Sequence, residues 1–311
     1  MKISILGAAG SIGAPTAFYI AASGLADELL MVGGKRQNVL EHHAVDISEA
    51  VSATGCRVRH GGYQDLTGSD IVINAAGAHL PLHLDRRIRV EKQAEFARDI
   101  AVEISKRCSN AVVITAINPI DATNYAAFLS GGFDRRQLIG YSINDTIRYR
   151  KSLARELQEK VKRVDCIVIG EHGGTQVPLF SSARVDGKPV QISEEMKQRI
   201  RAGMWGTIKI FEALDAGRTA GWTCAVGLTT LVRAMVENSD SVFPCSVVLK
   251  GEYGLSDFSM GVPVKLGRNG VKEILEYNLR PDEQEGLQKS VATLKADAAI
   301  VRETFRKRQF T

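Results

Sequence analysis

Through the first 130 or so residues, short apolar runs of strand length alternate with segments of helical period, and few folds accommodate that rhythm. Lys2–Leu6 stops at Gly7 and is followed by a helix over Ile12–Ser23. Leu29–Val32 is followed by a helix over Asn38–Ala50, and Ile71–Ala75 by a long charged helix from about Asp85 to Cys108. Ala111–Ile117 is broken by Asn118-Pro119, and a helix then runs to Leu129. Strands alternating with helices at this spacing pair in parallel through crossovers. Strands apolar along their whole length belong in a sheet covered by helices on both faces.

After about residue 140 the pattern changes. A helix is expected over Asp145–Lys160, a strand over Val164–Ile169 and a hairpin within Ala183–Ile192, where Asp-Gly-Lys-Pro is a turn signal. Helices over Glu194–Asp215 and Thr223–Val236 precede antiparallel strands at Ser241–Lys250 and Gly261–Leu266, and a charged helix closes the chain over Pro281–Arg306. The reading is α/β: a doubly wound parallel sheet of Rossmann type in residues 1–141, with an α+β domain in residues 142–311. No Pro/Gly/Ser-rich linker separates them, so the halves are expected to pack tightly.

Composition removes several classes. With 44% hydrophobic and 24% charged residues the 311-residue chain has ample material for a core, which excludes disorder. A net charge of +5 calls for no nucleic acid but permits a local site for an anion. Five scattered cysteines without a C-x-x-C pair argue against a disulfide scaffold or a zinc site, and for a reducing, cytoplasmic setting. No apolar run approaches the ~18–20 residues of a membrane span. The N-terminal apolar stretch is interrupted by Gly7, Gly10, Gly13 and Pro15, which reads as strand, turn and helix rather than a secretory leader.

The cluster Gly7, Gly10, Ser11, Ile12, Gly13 lies between the first strand and the first helix. Glycines there permit a tight turn and close approach of backbone N–H groups to a phosphate, and the helix N-terminus adds its positive end. The second strand normally ends on an acid that binds the adenosine ribose of NAD. Here Val32 is followed by Gly33, Gly34, Lys35 and Arg36. Lys and Arg pair with a 2′-phosphate that an acid would repel. The expected cofactor is therefore NADP(H), with NAD the alternative.

A second constellation lies downstream. His172 stands between glycines in Gly170-Glu171-His172-Gly173-Gly174, at a strand end. Asp145 and Arg148, at i and i+3, share one helix face. Arg86 follows a loop, and Asn118-Pro119 ends a strand. With these residues together the chain resembles the L-lactate/malate dehydrogenase family over nearly its whole length. The separations, 59 residues from Arg86 to Asp145 and 27 from Asp145 to His172, are those the family uses.

The resemblance implies roles. His172 is the general acid in reduction and the base in oxidation, Asp145 orients its ring, and Arg148 clamps the substrate carboxylate through a bidentate pair. Arg86 polarises the substrate carbonyl once its loop closes, and Asn118, which also borders the cofactor, orients the substrate oxygen. No metal is required.

Four departures bear on the substrate. Leu80 stands six residues before Arg86, where malate dehydrogenases carry an arginine that reads a second carboxylate; a slip in the loop alignment would bring Arg87 into play. Gly174 replaces an aspartate, Leu82-His83-Leu84 replaces a lysine- and glycine-rich loop, and the segment before Asp145 is one residue short. Leu80 with Trp222 points to a 2-oxo acid bearing an apolar or aromatic side group. A malate dehydrogenase with a divergent loop is the alternative, and a non-catalytic nucleotide-binding protein the alternative of another class. A short-chain reductase needs Tyr-x-x-x-Lys, which none of the seven tyrosines provides. The expected partners are a small 2-oxo or 2-hydroxy acid and further copies of the chain, as homodimer or homotetramer, with no nucleic acid or membrane.

Overall fold

The computed structural model describes residues 1–34, 36–78, 80, 85–216 and 220–307. The first half runs β1 (Lys2–Leu6), α1 (Gly13–Ala22), β2 (Glu28–Val32), α2 (Gln37–Ala50), β3 (Arg57–Gly61), β4 (Ile71–Asn74), α3 (Arg86–Cys108), β5 (Val112–Thr115), α4 (Ile120–Leu129) and β6 (Leu138–Tyr141). The second half continues with α5 (Ile143–Glu156), β7 (Val164–Asp165), β8 (Val168–Ile169), β9 (Val177–Pro178), β10 (Arg184–Val185), β11 (Lys188–Pro189), α6 (Glu194–Leu214), α7 (Gly221–Val236), β12 (Val242–Lys250), β13 (Ser256–Gly267), β14 (Gly270–Ile274) and α8 (Pro281–Lys307).

Strands β3-β2-β1-β4-β5-β6 lie side by side and parallel, which is the Rossmann order, and the expected fold class holds. The residues of β2 show why its sequence is apolar without alternation. Leu29 and Met31 enter one core while Leu30 and Val32 enter another on the opposite face. A strand alternates sides at each residue, so burial on both faces demands an unbroken apolar run.

The sheet does not stop at β6. Antiparallel β12 pairs with β6, and β13 and β14 extend it further, so both halves of the chain share one sheet. Four strands escape the sequence reading: β3, β6, β9 and β14. β3 carries Arg57 and Arg59 toward Glu28 and has one buried residue, Val58, as suits a sheet edge. β6 is interrupted by Gly140, β9 is two residues long, and β14 joins buried Gly270 and Val271 to exposed Lys272 and Glu273. The single strand expected over Val164–Ile169 is two: β7 joins β10 and β11, whereas β8 pairs with β9. The expected hairpin is present, with Asp186 (φ 47°) and Gly187 (φ 76°) forming its two-residue turn between β10 and β11.

All five cysteines are buried as free thiols. Among the described residues no helix is long and apolar enough to cross a membrane, and no group of three or more His, Cys, Asp or Glu side chains is arranged to hold a metal ion.

Candidate active site

Open α/β sheets bind ligands in the crevice at the carboxyl ends of their parallel strands, and the turn after β1 stands there. Gly7 has φ +74°, and a Cβ added there would stand 2.7 Å from the Ala75 carbonyl oxygen just beyond β4. A Cβ on Gly13 would come within 2.4 Å of the Gly7 carbonyl oxygen. The turn closes through the Gly10 N–H donating to Gly7 O at 2.9 Å. A side chain at Gly7 would force the loops after β1 and β4 apart, and one at Gly13 would break the turn after β1 itself. Ile12 at the N-cap of α1 supplies no side-chain cap, and no acidic residue occupies the first turn, so the positive helix end is left for an outside anion. Ser11 lies against α7, where a Cβ on Gly221 would meet the Ser11 carbonyl oxygen at 2.0 Å.

Past β2, Gly33 packs on Leu40, while Gly34 has open space where a Cβ would stand. The Gln37 amide braces this turn by donating to Gly33 O and Gly34 O at 3.2 and 2.7 Å. Arg36 Nη2 donates to the Ala9 carbonyl at 2.8 Å, which lays a guanidinium over the glycine loop. Lys35 lies outside the described residues. An uncapped helix end, glycines pressed to contact and an overlying cation fit a dinucleotide, and no carboxylate follows β2 to oppose a phosphate on its ribose.

His172 reaches the same crevice from β8. Gly170 has φ +87° and would place a Cβ 2.6 Å from Ser290 Oγ, so only glycine lets the strand turn there. The segment is pinned by Gly170 pairing with Gly261 on β13, and by the Val168 N–H donating to Thr146 Oγ1 on α5 at 3.0 Å. That second bond docks β8 on the first turn of α5, where Asp145 sits. His172 Nδ1 stands 2.6 Å from Asp145 Oδ2, and Arg148 Nη1 donates to Asp145 Oδ1 at 3.0 Å.

Asp145 is 4% exposed. Its carboxylate accepts the Nδ1–H hydrogen bond, which leaves Nε2 as the ring nitrogen open to a reactant. Burial works against a charged ring, but the charge and hydrogen bond of Asp145, with Asp121 behind, hold the His172 pKa above the ordinary histidine value. Only Ser142 separates β6 from α5. Tyr141 Oη donates to Asn144 Oδ1 at 2.7 Å beside it.

Arg86 begins α3, whose N-cap Asp85 accepts from the Arg87 and Ile88 N–H groups. Its guanidinium faces two carboxylates, Glu171 at 2.6 Å and Asp297 of α8 at 2.7 Å, both 5% exposed at their side chains. It therefore lies beside the residue preceding His172, with Nη2 engaged by both acids. Arg87 points elsewhere, to Glu91 and Glu303, so a register slip does not bring it into the site.

Leu80 is half-buried; His79 and residues 81–84, the altered loop, lie outside the described residues. Asn118 is exposed at the end of β5 and joined to Pro119 by a cis peptide bond. Gly174 is open, with nothing within 4 Å of an added Cβ, so packing does not require glycine there.

Trp222 departs from expectation. It is 79% exposed and forms no buried pocket wall. Gly221 is the residue that meets the glycine loop, and one step along a helix of 3.6 residues per turn carries the next side chain about 100° away.

Two acids at the site were not legible in the sequence. Asp121, in the first turn of α4, accepts the His172 N–H at 2.8 Å; Asp297 sits 4% exposed near buried Leu294, Ala298 and Val301 on α8. The available signal was a carboxylate within an otherwise apolar stripe.

A family model described as the lactate/malate dehydrogenase NAD binding domain matches residues 1–140. A second, described as the lactate/malate dehydrogenase alpha/beta C-terminal domain, matches residues 144–304. The chain is 33% identical over 301 residues to malate dehydrogenase of Haloarcula marismortui, covering 96% of each chain. It is also 33% identical over 301 residues to a malate dehydrogenase of Bacillus cereus, covering 94% of this chain and 96% of that one. Among solved structures, apo malate dehydrogenase of Picrophilus torridus matches with a TM-score of 0.91 at 26% identity, over 99% of both chains. A minor L-lactate dehydrogenase of Enterococcus mundtii matches with a TM-score of 0.87 at 26% identity, over 96% of this chain and 97% of that one.

Proposed function

Because this chain belongs to the lactate/malate dehydrogenase family, we propose that it is an NADP(H)-preferring 2-hydroxy acid dehydrogenase whose substrate carries an apolar or aromatic side group. The observation that carries the reaction is the His172–Asp145–Arg148 cluster at the crevice. The one that carries the substrate class is Leu80, six residues before Arg86.

The nicotinamide, when bound, supplies or takes up the hydride. His172 Nε2 gives a proton to the substrate oxygen in reduction and removes it in oxidation. Asp145 keeps the ring in the required tautomer and stabilises the imidazolium. Arg148, joined to Asp145 through one Nη1 contact, retains N–H groups to pair with the substrate carboxylate. Asn118 orients the substrate oxygen. Arg86 polarises the carbonyl on exchanging Glu171 and Asp297 for substrate. Gly7, Gly10, Ser11, Ile12, Gly13, Gly33, Gly34, Lys35 and Arg36 hold the cofactor. Leu80 disfavours a second carboxylate, because an apolar side chain leaves it unpaired.

A second reading, malate dehydrogenase, is favoured by the full-length similarity to proteins of that name. The substrate panel that closes the Discussion separates the two.

Cofactor choice is read from kcat/KM for NADPH and NADH. The expected ratio favours NADPH. Arg36→Ala is expected to lower kcat/KM for NADPH by about tenfold or more, as for loss of a hydrogen bond to a charged group, and to leave NADH largely unchanged. A clear NADH preference in the unaltered protein would refute the assignment.

The proposed protein partner is a second copy of the chain. α1 packs against both α7 and α2. On these helices Phe18, Tyr19, Val45, Trp222 and Val226 are all at least 41% exposed. Large exposed apolar side chains concentrated on packed helices mark an interface rather than a wet surface. Sedimentation is expected to show a dimer or tetramer, and Trp222→Asp with Val226→Asp a smaller species. A monomer at micromolar concentration in the unaltered protein would rule the surface out.

A further inference from the structure

The His172 segment is held by a carboxylate other than Asp145. Asp121 lies one residue into α4, just past the Asn118-Pro119 bond. It is 4% exposed, and both of its oxygens are occupied. Oδ2 accepts the His172 N–H at 2.8 Å, and Oδ1 accepts the Ser246 hydroxyl at 2.5 Å.

The hydrogen bonds behind Ser246 run in one direction. Ser246 has a single hydroxyl hydrogen, given to Asp121, so at its 2.9 Å contact with Ser259 Oγ it must accept. Ser259 in turn accepts from Asn124 Nδ2 at 2.9 Å. The Asn124 amide is oriented by the Ser246 carbonyl, which can only accept and lies 3.2 Å from the same Nδ2. From Asn124 through Ser259 and Ser246, every donor therefore points toward Asp121. The His172 N–H is a fixed donor on its other side. With the Ser246 hydroxyl and the His172 N–H both donating to it, this arrangement suits the carboxylate form of Asp121.

Resting on the proposed reaction for its catalytic meaning, we infer that Asp121 is a positioning residue for His172. It ties the backbone of the general acid to the start of α4, just past Asn118, and adds a second negative charge that favours the protonated ring. Three elements meet at this one side chain: α4, the turn after β8, and β12 through Ser246. His172 and Asn118, placed by opposite halves of the chain, thereby share one fixed reference.

The charged groups facing this pair are few. Asp145 and Arg148 approach the ring from α5, and Glu171 precedes it with Arg86 and Asp297 beyond. α4 itself carries no other ionisable group near Asp121 apart from Tyr125, which lies toward Arg302. Burial pushes the Asp121 carboxyl up to about 6, against the Ser246 and His172 donors that favour its charge. It is ionised at neutral pH and loses its charge as pH falls through that value.

The test is an NMR titration of the His172 Cε1–H resonance in the full-length protein, identified by its absence in His172→Asn. Asp121→Asn keeps the volume and removes the charge. The His172 midpoint is expected to move down, because a carboxylate that favours imidazolium has gone. Reduction above the midpoint should then fall about tenfold per unit of that movement, while oxidation at acid pH rises. A purely structural role would lower both directions together and leave the midpoint in place; that outcome overturns the inference.

Should Asp121→Asn fail to fold, Ser246→Ala decides. It retains the carboxylate but removes one donor, so the inflection that Asp121 imposes on the His172 resonance near pH 6 should move to higher pH. An inflection that is missing or unmoved overturns the inference equally. Because the resonance is read without substrate, failure of every 2-oxo acid to turn over would count against the proposed reaction and not against this result.

Discussion

Replacing His172 by asparagine is expected to lower kcat by about 10²–10⁴, the usual contribution of a positioned acid or base, while leaving dinucleotide binding intact. Asparagine is the informative choice because its amide nitrogen can stand where Nδ1 stands. It can still donate to Asp145, whose carboxylate is buried and would otherwise lose a partner at 2.6 Å. Only Nε2, the atom assigned to the substrate oxygen, is removed.

In the unaltered protein reduction needs the protonated ring. Since Asp145 holds that ring's pKa above the ordinary histidine value, reduction should persist past that value and fall as pH rises through the raised one. Oxidation should show the opposite limb. A His172→Asn enzyme that turns over at the original rate, with cofactor still bound, would remove His172 from the role of acid and base; an unaltered protein that binds the dinucleotide and reduces no 2-oxo acid would favour a scaffold without catalysis.

The second large effect is on specificity. Leu80→Arg is expected to raise kcat/KM for oxaloacetate relative to 2-oxoisocaproate by roughly thirtyfold or more. The magnitude is that of a close charge pair at a partly desolvated site, about 2 kcal/mol or somewhat more, at 1.4 kcal/mol per factor of ten. Leu80 is half-buried, which places it at the lower end of that range. The guanidinium would have a fixed anion to meet in oxaloacetate and none in the branched-chain acid, so a change confined to overall rate would not reproduce the shift in ratio. A ratio that moves less than about threefold would mean that Leu80 does not face the substrate side group.

What could be read in advance follows from where the physical signal lay. β1, β2, β4 and β5 are buried on both faces, so their apolar runs declare them without reference to neighbours. β3 lies at the sheet edge with arginines paired to Glu28, and its period is lost among charges. Val164–Ile169 looks like one strand because local propensity does not register the change of sheet between β7 and β8.

The same distinction governs the site. Asp145, Arg148 and His172 announce themselves by residue type and spacing, and they do meet. Asp121 and Asp297 are defined by partners 51 and 211 residues away, His172 and Arg86, and nothing local marks them. Trp222 was misplaced for a related reason: sequence shows that an aromatic residue begins α7, but the contact of Gly221 with Ser11 decides which way it faces. Arg86 shows the converse, a residue found by its interval whose present partners, Glu171 and Asp297, no interval reveals.

The most direct measurement is the initial rate of NADPH oxidation by the unaltered protein with pyruvate, oxaloacetate, 2-oxoisocaproate and phenylpyruvate. The expected result is reduction of these 2-oxo acids with the highest kcat/KM for 2-oxoisocaproate or phenylpyruvate. An advantage of more than tenfold for oxaloacetate would contradict the assignment of Leu80 and establish the malate reading, and reduction of none of the four would contradict the account as a whole.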